Sequence, residues 1–296
     1  MIRRFAAGTV LAVGLVISLT GCLGDTGNKV DEAGKNLKLT AAQVLGKAAE
    51  ETGTVDSFKA DFTMQISGSS DGNLTASGAM RYRTKPDLAY GMRFDQMTAA
   101  GKSMNGTEYL LVDRAMYMKI PMLTELGGSA AKPWLKISLD ELGQKSGLNL
   151  DEMLKQSKQM DPVQNTKMLT ASKDVREVGK ETVDGVETTH YTGTYRMEDA
   201  IAKLPADQQE ALRKSYADAG MDSMSFDLWV DGKQLPRKLA MKSQQATSGT
   251  MNITMTYRDY GKPVEVTAPP ASQTTDFAEM MKNFGGAGGG AGLPGA

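Results

Sequence analysis

The sequence is short of the side chains that build most catalytic centres. Among its 296 residues there is one cysteine, Cys22, and one histidine, His190. A lone cysteine excludes an intrachain disulfide, and one cysteine with one histidine cannot supply the four ligands of a usual zinc site. Basic charge is not in excess either, with 34 Lys and Arg against 35 Asp and Glu. That balance argues against nucleic acid, whose phosphates favour a basic stripe. No acidic loop carries the spacing of an EF-hand, and the carboxylates are scattered, so no acid/base pair stands out. The apolar run near the N-terminus, Phe5 to Leu19, has 15 residues, whereas a helix needs about 20 to cross the bilayer core. Neither an enzyme nor a cofactor is expected from this inventory.

Two catalytic look-alikes fail on context. Gly68-Ser69-Ser70-Asp71-Gly72 spells the G-x-S-x-G nucleophile pattern, but that elbow needs a strand followed by a helix, and a second strand-like stretch follows here. Ser129 to Lys132 spells S-x-x-K, yet Pro133 comes next and no K-T-G exists anywhere. His190 falls in phase with Thr188, Thr192 and Thr194, opposite Tyr191 and Tyr195, which makes it a polar-face residue. The glycines of the tail have no preceding strand and no following helix, as a dinucleotide fingerprint would require.

The N-terminus has the order of a signal peptide: Arg3 and Arg4, a short apolar stretch, then small residues. Leu19-Thr20-Gly21-Cys22 resembles a bacterial lipobox, in which the cysteine sulfur takes a diacylglycerol group and the chain is cut just before it. Residues 1–21 are therefore expected to be a lipoprotein signal peptide and Cys22 the lipidation site. The expected location is the outer face of the plasma membrane, held by acyl chains and not by a helix. Loss of Arg3 and Arg4 moves the formal charge from -1 to -3. Residues 22–38 are polar and without period. They read as a flexible tether reaching roughly 20–24 Å.

The folded part is expected over residues 39–270. Thr40 and Gln43 make a capping-box pattern and Gly53 a stop, which predicts a helix between them. The period then drops to two. Phe58, Ala60, Phe62, Met64 and Ile66 share one face, as do Leu74, Ala76, Gly78, Met80 and Tyr82. A hairpin is expected near Asp113-Arg114 and another at Asp184-Gly185. The middle reads as helical, with capping patterns at Ser138/Glu141 and Asn149/Glu152 and a helix opened by Asp161-Pro162. A further helical stretch from about Glu198 to Gly220 should break at Pro205. Ten or eleven antiparallel strands in meander order with segregated helices make an α+β fold, whose wide sheet should twist and curl. In residues 271–296, Phe277, Met280, Met281 and Phe284 fall at i, i+3, i+4 and i+7. They form a docking helix or, alternatively, a lid or membrane-touching element before a Gly-rich disordered tail.

Longer stretches carry a resemblance. LWVDGKQLPRKL (228–239), the exit Tyr257-Arg258-Asp259-Tyr260-Gly261-Lys262-Pro263-Val264, and the opening LTAAQVLGKAAEETGTVDSFKADF are similar to the LppX/LprG-type lipoproteins of actinobacteria. The resemblance implies a LolA-like fold, a half-open β-barrel wrapped around helices with an apolar cavity between. It also implies lipid or lipoglycan acyl chains as ligand, presented or transported at the envelope, and a membrane transporter as a candidate partner. The alternative is a non-carrier lipoprotein that binds an envelope protein as a sensor or assembly factor. No catalytic residues carry over. Twenty methionines are either ordinary core filling or the adaptable wall of such a cavity. Strand phase gives the candidate cavity lining as Leu88, Tyr90, Met92, Phe94, Met116, Met118, Phe226, Leu228, Val230, Met251, Ile253 and Met255.

Overall fold

Alternating polarity builds most of the molecule, and pairing register turns it into one sheet. The computed structural model describes residues 39–68, 72–119, 121, 132–140, 162–243 and 249–280. The first group of strands is β1 (Ser57–Ser67), β2 (Leu74–Arg83), β3 (Ala89–Ala99), the two-residue β4 (Lys102–Ser103), β5 (Glu108–Val112), β6 (Ala115–Lys119) and β7 (Trp134–Ser138). The second is β8 (Arg176–Val183), β9 (Val186–Arg196), β10 (Ser223–Asp231), β11 (Pro236–Ser243) and β12 (Thr250–Arg258). A short β13 (Thr274–Asp276) completes the thirteen. Each group is an antiparallel meander, and β1 pairs with β12 to join them. The sheet is open and curved, with β8 at one end and β13 at the other.

The turns form where the sequence supplies their chemistry. Asp184 and Gly185 both take positive φ, 48° and 78°, between β8 and β9, as a two-residue hairpin requires. Asp113 and Arg114 do the same at 52° and 55° between β5 and β6. Gly68 and Gly72 lie between β1 and β2, and residues 69–71 fall outside the described residues. Opposite Ser77/Gly78 of β2 lies a β-bulge in which Asp95 is the extra residue of β3. Only glycine fits there, because a Cβ on Gly78 would lie 1.8 Å from the Arg93 carbonyl oxygen.

Four α-helices are described over their whole length, α1 (Ala41–Gly53), α2 (Pro162–Leu169), α3 (Met197–Ile201) and α4 (Ala206–Asp218), and residues 277–280, with Phe277 and Met280, are also helical. The expected capping box holds α1. Thr40 Oγ1 accepts from the Gln43 amide at 3.3 Å, and Gln43 Oε1 accepts from the Thr40 amide at 2.8 Å. Pro162 opens α2, and Pro205 separates α3 from α4. Glu141 and the Asn149/Glu152 pattern lie outside the described residues, as do Met281, Phe284 and everything before Leu39.

One apolar cluster fills the space between the helices and the inner face of the sheet. Val44, Leu45 and Ala48 of α1 and Leu169 of α2 meet Phe58 and Ala60 of β1, Phe226 and Leu228 of β10 and Leu239 of β11, all nearly or fully buried. Phe58 stacks on Tyr82 with centroids 5.0 Å apart and meets Tyr257 edge-on at 5.8 Å. Gly193 of β9 leaves room for this packing: a Cβ there would sit 2.9 Å from the Phe226 ring.

Past β12 the chain packs on the outer side of the sheet. A second small cluster lies on the back of β3, β5, β6 and β7, where Ala89, Leu110, Val112, Ala115, Tyr117 and Trp134 are buried by Val264 and Val266. The chain after β12 therefore crosses the back of the sheet as a strap. It then forms β13, which pairs in parallel with β7 through Thr274↔Trp134 and Asp276↔Lys136. Lys132 Nζ ties the two together, donating to the Thr274 carbonyl at 2.9 Å and the Ala271 carbonyl at 3.3 Å. The sheet thus continues past residue 270. The strand WLKIS carries no turn signal of its own, and the expected helix start at Ser138 is met by the helical residues Leu139 and Asp140 that follow it.

Candidate functional site

The inner face of the sheet is not uniformly packed. Near Phe58 and Val230 the helices close down on it, but toward the other end of the same strands they stand off. The gap is a cavity of about 210 Å³. From the sheet, β1 contributes Phe62 and Met64, β2 contributes Met80, and β3 contributes Met92. From the other meander come Met224 of β10, Met241 of β11, and Met251, Ile253 and Met255 of β12. The helical side supplies Asn165 and Met168 of α2, Met197 of α3, Tyr216 of α4, and Tyr195 at the end of β9.

Nine of the fourteen lining residues are methionines, close to half of the twenty in the chain. The register brings them together. Met80 pairs directly with Met92 across β2 and β3, Ile253 lies opposite both Met64 and Met241, and Met255 lies opposite Phe62. Strand parity then aims each of these side chains inward. Met64, Met92, Met241 and Met251 are only partly buried, whereas Met80, Met168, Met197, Met224 and Met255 are buried. Thioether side chains are unbranched and rotate about three bonds, so such a wall adapts to an irregular apolar guest.

The polar content of the wall is three uncharged groups: Asn165, Tyr195 and Tyr216. Burial pushes both phenols above their ordinary range, and Tyr216 raises Tyr195 further. Both hydroxyls therefore stay protonated at neutral pH. The Tyr195 hydroxyl points to the Met241 sulfur at 3.9 Å, a weak contact. No lysine, arginine, histidine or carboxylate lines the cavity among the described residues.

Of the twelve residues proposed from strand phase, Met92, Met251, Ile253 and Met255 stand on this wall. Phe226, Leu228 and Val230 face the same way but lie in closed packing, at 1%, 0% and 3% exposure. Tyr90 and Phe94 are partly buried against the main cluster beside the cavity. Leu88 also packs against that cluster but lines a separate hollow with Leu111 and Arg114. Met116 and Met118 are half-buried on β6, beyond the wall. Strand phase fixes the face but not the height along the strand, nor which helix lies overhead. Phe62, Met64, Met80, Met224 and Met241 share that phase and could have been chosen from it. The helical contributors gave no strand-phase signal.

His190 lies outside the cavity. Its Nδ1 is 2.8 Å from Glu181 Oε1 and its Nε2 2.8 Å from Asp227 Oδ1, and its ring stacks on Trp229 at 4.2 Å. The Trp229 indole N–H donates to Glu181 Oε2 at 2.8 Å, and this bond, with that of His190, holds the Glu181 carboxyl below its usual range. The cluster clamps β8 to β9 and β10. Among the described residues no group of His, Cys, Asp and Glu could hold a metal ion, and no helix is long and apolar enough to cross a membrane.

The chain resembles actinobacterial lipoproteins. It is 27% identical to a candidate lipoprotein of Streptomyces coelicolor over 255 residues, covering 85% of this chain and 69% of that protein. It is 37% identical over 180 residues to an uncharacterized 31.2 kDa protein of Streptomyces griseus, covering 58% of this chain. That match spans 59% of the Streptomyces griseus protein, less than two thirds of its length. The crystal structure of the Mycobacterium tuberculosis lipoprotein LppX is similar at a TM-score of 0.46 and 16% identity, covering 77% of this chain and 98% of that one. No protein-family model matches.

Proposed function

We propose that this protein is a membrane-anchored envelope lipoprotein that holds acyl chains of a lipid or lipoglycan in the methionine-walled cavity, for transport or presentation. The observation that carries this reading is the wall itself. Eleven of its fourteen residues are apolar, nine of them methionine, and they surround open space between sheet and helices where a core would normally close. Cys22 carries the diacylglycerol anchor at the outer face of the plasma membrane, and residues 22–38 let the folded part stand off the surface. A membrane transporter is a candidate partner at that surface, and no catalytic role is assigned.

The energetics suit exchange with a membrane. Each methylene taken from water contributes about 0.8 kcal/mol, so a chain of about 16 carbons gives a gross term near 12 kcal/mol before ordering and association costs. A bilayer offers the same chain a similar gain. Transfer therefore runs near balance and is driven by whichever partner accepts the lipid. At about 210 Å³ the cavity is below the 300–1,000 Å³ or so of small-molecule sites, so a long chain enters by displacing methionine side chains. Loss of wall contacts is offset by new ones to the guest.

The test is native mass spectrometry of the full-length protein extracted from an actinobacterial host, followed by organic extraction. The covalent anchor stays with the denatured chain, and non-covalent cargo leaves it. About one acylated molecule released per protein is the expected result. A protein that carries none and refuses added phospholipid would overturn the carrier reading in favour of a protein-binding lipoprotein. Ile253→Trp, which fills the cavity from the β12 side, should lower loading while the fold is kept. Ala60→Trp is the wrong variant, because Ala60 is fully buried and a ring there disrupts the core.

A further inference from the structure

The three polar groups of the wall are unequally satisfied. Tyr195 has at least the Met241 sulfur. The Tyr216 hydroxyl and the Asn165 carboxamide have no hydrogen-bond partner among the described residues, and both residues are half-buried against the cavity. Asn165 and Met168 lie three apart on α2, one helical face, so the amide is aimed at the same space as the thioether. Both groups meet water while the cavity is empty, and once a guest drives that water out, each left without a partner costs free energy. A guest that supplies an acceptor to the Tyr216 O–H and the Asn165 N–H recovers it, and an alkyl chain alone does not.

The charge of the wall narrows what that acceptor can be. A carboxylate entering this cavity would lose its hydration and meet no cation. An ester or amide carbonyl meets the two donors at no such cost, and the Asn165 carbonyl remains free to accept from a neighbouring hydroxyl or N–H of the guest.

We propose that Asn165 and Tyr216 read the polar junction of the ligand and make the cavity select esterified or amide-linked acyl chains over free fatty acids. This rests on the acyl-chain reading above and specifies it. The two residues set specificity by contact with the junction, and the methionines hold the chain without discriminating its head.

The experiment measures binding of three fluorescent probes to the full-length protein at pH 8: a pyrene-labelled monoacylglycerol, the matching pyrene fatty acid, and a pyrene alkane of equal length. The expected result is ester binding at least about tenfold tighter than the ionised acid. Asn165→Leu and Tyr216→Phe should each weaken the ester about two- to tenfold, the worth of one neutral hydrogen bond, and leave the alkane bound at least as tightly as before. Retained alkane binding shows that the variants are folded with the cavity intact. Equal binding of ester and acid, or variants that leave ester affinity unchanged, would overturn the assignment while acyl binding stands. Failure of all three probes would overturn the carrier reading, and this inference with it.

Discussion

At the scale of single residues, the wall's thioethers are its strength and its exposure. Met64, Met92, Met241 and Met251 are partly accessible through the cavity. A peroxide oxygen added to the sulfur, with water released, converts each into a polar sulfoxide. Peroxide treatment of the protein should therefore abolish acyl loading before it unfolds the sheet, and methionine sulfoxide reductase should restore it. Tryptic mass mapping alongside loading checks both halves. Gly78 poses a steric demand of another kind. Gly78→Ala drives a methyl into the Arg93 carbonyl, and overpacking of this sort costs about 1–3 kcal/mol, read as a lower midpoint in urea. Asp174 shows a third case. It accepts from the Thr194 amide and hydroxyl at 2.7 Å and from the Ser172 hydroxyl at 2.9 Å, and the Thr194 bonds chiefly hold its carboxyl below the usual range. A depressed folded value means stability that is present above the unfolded value and lost as pH falls through the folded one. Asp174→Asn should flatten the acid side of the stability profile below about pH 4 and leave its slope between pH 6 and 8 unchanged in thermal melts.

At the scale of elements, the strap is the least expected part. Val264 and Val266 are buried at 5% and 4% on a face where alternation predicts polar residues. Leu110, Val112, Tyr117 and Trp134 make that face apolar. Five-residue strands such as β5 and β6 are apolar on both sides, and periodicity cannot distinguish faces when both are covered. Replacing Val264 and Val266 by alanine removes four buried carbons and should lower stability by about 3 kcal/mol. Deleting the chain after Lys262 should do more, because it also bares the outer edge of β7, which β13 otherwise occupies. An open edge beside an apolar patch invites pairing with another chain, so the truncated protein is expected to aggregate in light scattering where the double alanine variant stays monomeric. The elements that were legible had explicit punctuation: Thr40 with Gln43, Asp184-Gly185, Pro162 and Pro205. β7 and β13 had none, and β13 exists only because the strap delivers it to β7. Legibility of the site followed the same rule. Parity named the inward face, on which Met92, Met251, Ile253 and Met255 line the cavity. The floor at Phe226 and Leu228 is closed by helices whose position no local pattern records.

At the scale of the whole molecule, cavity and core are one structure. Met64, Met92, Met241, Met251 and Ile253 pack against the same cluster that includes Leu45 of α1, Phe58 of β1 and Leu228 of β10. The helices are thus held to the sheet partly by the residues that would grip a ligand, and filling the cavity adds contacts on both sides of that interface. A ligand that binds only the folded chain stabilises it by mass action, by about 2.7 kcal/mol at a hundredfold excess over Kd. For a domain of 150–250 residues each kcal/mol moves the melting temperature by about 2–4 °C. Lipid-stripped protein reloaded with an acyl ester should therefore melt about 5–10 °C higher than the stripped protein in calorimetry, in a single transition. The shift should vanish in Ile253→Trp, where the cavity is already filled. It should survive Cys22→Ser, a change that on the proposed reading removes the anchor and leaves every wall residue in place. A shift of equal size in the filled variant would place the acyl chain elsewhere on the molecule.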